Sequence, residues 1–110
     1  MVPFHSPKEY LFNLYTTSSS EAKRLWRRHI KESWNHQCAY CGSKDNLTLD
    51  HIVPQSKGGS DRITNVLCAC SECNNSKGHQ KWYEWFLEQD FFSVDNMSKI
   101  IEWQNQIIDK

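Results

Sequence analysis

The sequence has no apolar run approaching the roughly 20 residues that a bilayer-spanning helix needs. It has no basic-then-apolar leader, since it opens MVPFHSPKEY. It has no formal net charge, with 13 Lys/Arg against 13 Asp/Glu. It has no internal repeat beyond a duplicated cysteine pair, and no low-complexity stretch except Ser18–Ser20. The first absence excludes a helical membrane span, and no membrane partner is expected. The second makes a reducing cytoplasm the expected setting, where paired cysteines are more often metal ligands or redox groups than disulfides. The third means that overall charge does not advertise a nucleic-acid partner.

A chain of 110 residues fits one domain, with a modest core. Such domains often need an extra staple, and five cysteines offer either disulfides or a metal. Charge is unevenly spread. Residues 1–37 carry six Lys/Arg and three acids, residues 38–78 four and four, and residues 79–110 three and six. A basic N-terminal part and an acidic C-terminal part suggest a DNA-facing side toward the N-terminus. Ordinary solvated helix faces would give the same pattern.

The pattern divides the chain into a helical segment (1–37), a cysteine-rich centre (38–78) and two C-terminal helices (79–110). Tyr10, Leu11, Leu14 and Tyr15 suggest a short helix, and Ser18 with Glu21 a capping box. Ala22, Leu25, Trp26, Ile30 and Trp34 recur at helical spacing and predict a helix over about 21–35. Residues 47–53 alternate like a strand that Pro54 ends, and residues 63–68 read as a second strand. A short helix is expected from Ser71 to Gly78, then helices over 80–89 and 95–109. The last should bury Met97, Ile100, Ile101, Ile107 and Ile108 on one face. The five tryptophans read as core anchors, although Trp103 falls off that stripe and fits a partner contact.

Cys38-Ala-Tyr-Cys41 and Cys70-Ser-Glu-Cys73 are two C-x-x-C pairs. Two intervening residues let both sulfurs turn toward one point, and two such knuckles supply the four tetrahedral thiolates that structural zinc prefers. A redox pair would sit at a helix start in a thioredoxin-like pattern, which is absent here. Buried free cysteines are the remaining alternative. Cys68 breaks the symmetry and reads as a small buried side chain that could compete for a ligand position; Cys70 keeps the spacing of the first pair.

The insert between the pairs is too long for a plain zinc ribbon. It holds Asp50-His51, a Gly58-Gly59 loop and Asn65, and Asn74 and Lys77 follow the last cysteine. Phosphodiester hydrolysis needs a base near neutral pH, for which histidine is the natural choice, and a cation at the scissile phosphate. Magnesium or manganese wants oxygen ligands, which Asp50 and Asn74 offer. On a regular strand Asp50 and His51 point to opposite faces, so a bend or strand end is expected there.

These residues together resemble the HNH endonucleases. The resemblance rests on the two cysteine pairs, Leu49-Asp50-His51-Ile52-Val53-Pro54, Lys57-Gly58-Gly59, Asn65-Val66-Leu67 and Asn74-x-x-Lys77-Gly78. It implies an α+β fold with a zinc-stapled ββα-metal core, flanked here by N- and C-terminal helices. It implies His51 as general base, Asn65 as the central residue that steadies the loop carrying it, Asp50 as the metal-binding acid and Lys77 as a phosphate contact. Asn74 stands where the last histidine of the family name falls, which makes this an H-N-N variant. The implied activity is DNA cleavage by a small phage-type or homing enzyme, phage-encoded in a bacterial host. Arg24, Arg27, Arg28 and Lys31 form a stripe that would contact DNA phosphates without reading sequence. A non-catalytic zinc module, or a nuclease serving a packaging or repair complex, are the rival readings. The chain would act as a monomer or a homodimer.

Overall fold

The computed structural model describes residues 19–106. The apolar cluster at Tyr10–Tyr15, the Ser18 half of the capping box, and Ile107 and Ile108 lie outside them. Helix α1 spans Ser19–Ser33. Ala22, Trp26 and Ile30, four residues apart, are buried on one face. The chain leaves α1 through Asn35 and His36, both at positive φ, with His36 N–H donating to the Lys31 carbonyl at 2.8 Å.

Strands β1 (Leu47–His51) and β2 (Val66–Cys70) pair antiparallel, with Asp50 opposite Leu67 and His51 opposite Val66. β1 is two residues shorter than the sequence suggested. The ladder continues for one more bond, Ile52 N–H to the Asn65 carbonyl, and then the chain bends. β2 lies three residues later at its start than expected, because residues 63–65 form a 3-10 turn. Ile63 is still fully buried there, so the apolar run was real but its first part is not extended.

Helix α2 (Ser71–Lys77) follows β2 with no intervening loop. Cys70 ends the strand and caps the helix, its Sγ accepting from Cys73 N–H. Helices α3 (Trp82–Leu87) and α4 (Val94–Asn105) complete the described chain, the second capped by Ser93 Oγ.

Alternation along β2 sends successive side chains to two cores. Val66 packs with Ala22, Trp26, Ile30 and Ile63. Leu67 and Ala69 pack with Tyr40, Ile52, Trp82, Trp85, Phe86 and Ile100. The sheet is therefore covered on both faces, which explains why all of β2 is buried. The architecture is α+β, with β1, β2 and α2 as its centre.

The face of α4 differs from the expectation. Ile100 is buried and Met97 partly so, but Ile101 is 43% exposed. Trp103 occupies the inward position instead. Its Nε1–H is shared between the carbonyls of Ile63 and Val66 at 2.9 and 2.8 Å, and its ring packs on Trp34 at 5.3 Å. Trp103 is an internal clamp across the β2 entrance, which corrects its reading as a partner contact. None of the described helices is long and apolar enough to cross a membrane.

Candidate active site and metal centre

Each cysteine pair folds as a tight knuckle in which the fourth residue's N–H points at the first sulfur. Cys41 N–H meets Cys38 Sγ at 3.5 Å and Cys73 N–H meets Cys70 Sγ at 3.4 Å. Gly42, at φ +80°, turns the chain after the first pair, where a side chain would be strained. The first knuckle hangs from β2 through Ala39 N–H and the Cys68 carbonyl. The four sulfurs of Cys38, Cys41, Cys70 and Cys73 all lie within 4.8 Å of one another, and Cys41 and Cys70 are 3.7 Å apart. Tetrahedral thiolates at about 2.3 Å from a zinc ion would be about 3.8 Å apart, so the cluster has the dimensions of a four-coordinate metal site. Donation from Cys73 lowers the Cys38 thiol to about 4, while Cys73 itself is driven far upward. Burial pushes Cys41 up to about 11. Charge on the Cys38 sulfur opposes ionisation of Cys41 and Cys73, and a bound cation would remove that conflict. Cys68 is fully buried, lies outside the cluster, and is held up at about 11 by burial.

On the sheet face covered by α2, Asp50 is buried and both carboxylate oxygens are engaged. Tyr40 Oη–H donates to Oδ2 at 2.8 Å, and Lys77 Nζ donates to Oδ1 at 3.1 Å. Burial raises the Asp50 carboxyl above the usual range, against the opposing pull of Lys77 and Tyr40. Tyr40 is raised well above its ordinary value, first by burial and then by the Asp50 charge. Lys77 also donates to the His51 carbonyl at 3.0 Å. Asn74, one helical turn before Lys77 on α2, donates Nδ2 to Thr48 Oγ1 and to the Leu49 carbonyl, both at 3.0 Å. Its Oδ1 has no hydrogen-bond partner among the described residues. Asp50, Asn74 and Lys77 thus converge on the seam between β1 and α2.

His51 ends β1 with its ring half-buried. Nε2–H donates to Asp61 Oδ1 at 2.9 Å, and Gln55 Nε2 donates to the same oxygen at 2.7 Å. The His51 hydrogen bond lowers the Asp61 carboxyl below its ordinary value. Asn65 ties this loop together, with bonds to both backbone groups of Val53 and to the Ser60 carbonyl. Gly59 closes the turn where a Cβ would collide with the Val53 carbonyl.

The structure brings Asp50 and the backbone of His51 together around Lys77, and bonds Asn74 to Thr48 and to the Leu49 carbonyl just before Asp50. Lys77, expected to contact phosphate, is fully buried, with its ammonium bonded to Asp50 and the His51 carbonyl. Arg24, Arg27 and Arg28 are exposed on α1 and Lys31 half-buried, with Arg24 bridged to Glu21 at 3.1 Å. Sequence reasoning missed Tyr40, Gln55 and Asp61. Tyr40 was counted only as spacing between two ligands, and nothing in the spacing of residues 55 and 61 singled them out.

Residues 38–82 match the family described as HNH endonuclease. A CRISPR-associated endonuclease Cas9 of Corynebacterium diphtheriae is 40% identical over 65 residues, covering 56% of this chain and 6% of the relative. An SPbeta prophage-derived HNH endonuclease of Bacillus subtilis is 32% identical over 96 residues, covering 74% of this chain and 40% of the relative. A Cas9 of Actinomyces naeslundii is 40% identical over 52 residues, 44% of this chain and 5% of the relative. The chain therefore spans well under half the length of these relatives.

Proposed function

We propose that this chain hydrolyses phosphodiester bonds in DNA, with His51 as general base and with Asp50 and Asn74 as ligands of one magnesium or manganese ion. The observation that carries this reading is that α2 bonds to the end of β1 on both sides of Asp50, through Asn74 to the Leu49 carbonyl and through Lys77 to Asp50 itself and the His51 carbonyl. A bound cation would supply charge neutralisation at the scissile phosphate and the leaving oxygen. His51 commits Nε2–H to Asp61, which leaves Nδ1 as the atom that takes the proton of the attacking water. Asn65 holds the loop that faces this histidine. The four cysteines hold zinc, which staples the fold and takes no part in cleavage. Arg27, Arg28, Arg24 and Lys31 on α1 supply backbone phosphate contacts.

One such site cuts one strand at a time, so nicking is the primary act; a double-strand break needs two copies or two encounters. A phage-type or homing enzyme accords with the prophage-derived relative. A second reading, a nuclease directed by a larger machine, is favoured by the lengths of the Cas9 relatives, in which the matching segment is a small part.

The test is nicking of supercoiled plasmid with magnesium, manganese or EDTA, by the natural protein and by His51→Ala, both shown to be folded and zinc-loaded. Metal-dependent nicking that disappears in His51→Ala is the expected result. A folded natural protein that never nicks, with or without added metal, overturns the free-standing nuclease.

A further inference from the structure

We propose that the first cysteine knuckle positions the cation-binding carboxylate, with Tyr40 and Lys77 as positioning residues for Asp50. The proposal rests on the reading of Asp50 as a cation ligand.

Tyr40 sits between Cys38 and Cys41 and is fully buried. Its ring meets Trp85 edge-on at 5.0 Å and Phe86 at 5.4 Å. Its carbonyl accepts from Asn96 Nδ2 at 3.2 Å, and the preceding residue is bonded to β2 through Ala39 N–H. Backbone and ring are therefore both fixed, and the hydroxyl has one place to be. A phenol has a single proton to donate, and here it goes to Asp50 Oδ2. Lys77 occupies the other oxygen. A carboxylate has about four lone-pair sites, so one on each oxygen stays open for a cation.

This arrangement removes the rotational freedom of Asp50 before any cation arrives. The ordering cost is met in folding rather than in binding. The Lys77 ammonium, 3.1 Å from Oδ1, places a positive charge against the buried carboxylate on the oxygen that Tyr40 does not occupy. The zinc cluster thus reaches the cleavage site through one side chain: Sγ atoms fix the knuckle, the knuckle fixes Tyr40, and Tyr40 fixes Asp50. Partners that orient a metal ligand from outside the coordination sphere typically change metal affinity 10–100-fold when removed.

The experiment is a manganese titration of the zinc-loaded chain, read by the electron paramagnetic resonance of free Mn²⁺, for the natural protein, Tyr40→Phe and Asp50→Asn. Zinc content and thermal unfolding are measured in parallel. Tyr40→Phe keeps the ring packing and should keep its zinc, with the manganese Kd raised about 10-fold. Its nicking rate should fall at low manganese and recover at high manganese, a split that a general loss of structure would not give. Equal manganese affinity in Tyr40→Phe and the natural protein overturns the proposal. If Asp50→Asn also binds like the natural protein, the reading of Asp50 as ligand falls with it. Should Tyr40→Phe lose its zinc, the natural sequence labelled with 3-fluorotyrosine decides the matter by fluorine NMR. The Tyr40 resonance should shift on addition of magnesium, and a resonance that stays still overturns the proposal.

Discussion

Asn65 and Val53 exchange a pair of hydrogen bonds as two strand residues would, but one partner is a side chain. The Asn65 Oδ1 accepts Val53 N–H at 2.9 Å, and its Nδ2 donates to the Val53 carbonyl at 3.1 Å. A third bond, Nδ2 to the Ser60 carbonyl at 2.8 Å, pulls in the far side of the loop. The amide continues the β ladder around a bend that the backbone alone cannot follow. Asn65→Asp keeps the size but loses both Nδ2 bonds. It should cost about 1–2 kcal/mol of stability, by chemical denaturation of the zinc-loaded protein. Its nicking rate should fall far more than its zinc content, because the loop carrying Asp61 loses its anchor. A variant that nicks at the natural rate would show that this loop does not steady His51.

The sulfur cluster makes a distinct prediction about which cysteines matter. Atomic spectroscopy should find one zinc per natural chain and one per chain in Cys68→Ala. Cys70→Ser should lose the metal and the cooperative unfolding transition, because it removes a ligand and the cap of α2 together. Treating the natural protein with a strong chelator should give the same loss of structure. Zinc retained in Cys70→Ser and lost in Cys68→Ala would transfer the ligand role to Cys68.

The His51–Asp61 contact has a pH signature. The Asp61 carboxyl is lowered by the His51 hydrogen bond, so its folded value lies below its unfolded one. The contact therefore stabilises the fold above the ordinary aspartate range, and that contribution is lost as pH falls through the folded value. Carbon NMR of the Asp61 carboxyl should show a midpoint below 3.8, the ordinary value. In His51→Ala the midpoint should move upward. An unchanged midpoint in that variant would mean that the two side chains do not meet in solution.

The basic face of α1 predicts a change in salt dependence rather than in cutting chemistry. Arg27→Ala and Arg28→Ala should each weaken DNA binding and reduce the slope of log affinity against log salt by about 1. Arg24→Ala should do less, since Glu21 already neutralises part of its charge at 3.1 Å. Binding curves at several salt concentrations measure this, and unchanged slopes would place the DNA elsewhere on the molecule.

Much of the architecture was legible because periodicity and cysteine spacing are local. The stripe Ala22, Trp26 and Ile30 is buried as its spacing implies, and the two cysteine pairs meet as their repeat implies. Boundaries were less legible, because Ile63 is as apolar as a strand residue yet sits in a 3-10 turn. The partners of the site were least legible. Whether Lys77 faces water or Asp50 depends on how α2 lies against β1, which no local pattern encodes. Tyr40 looked like filler because its function depends on Asp50, ten residues along and on another element. Trp103 was misplaced for the same reason: its acceptors, the carbonyls of Ile63 and Val66, are nearly forty residues upstream.

Cys70 is the last residue of β2, the cap of α2 and a member of the sulfur cluster. A seven-residue helix has too little internal cooperativity to hold its own direction. Its orientation is set by Cys70 at its start and by the bonds of Asn74 and Lys77 to β1 further along. The helix therefore behaves like a beam pinned at both ends. Any agent that competes for the Cys70 sulfur, whether a chelator or an oxidant, would draw one pin and blunt the site without touching a residue that meets the substrate.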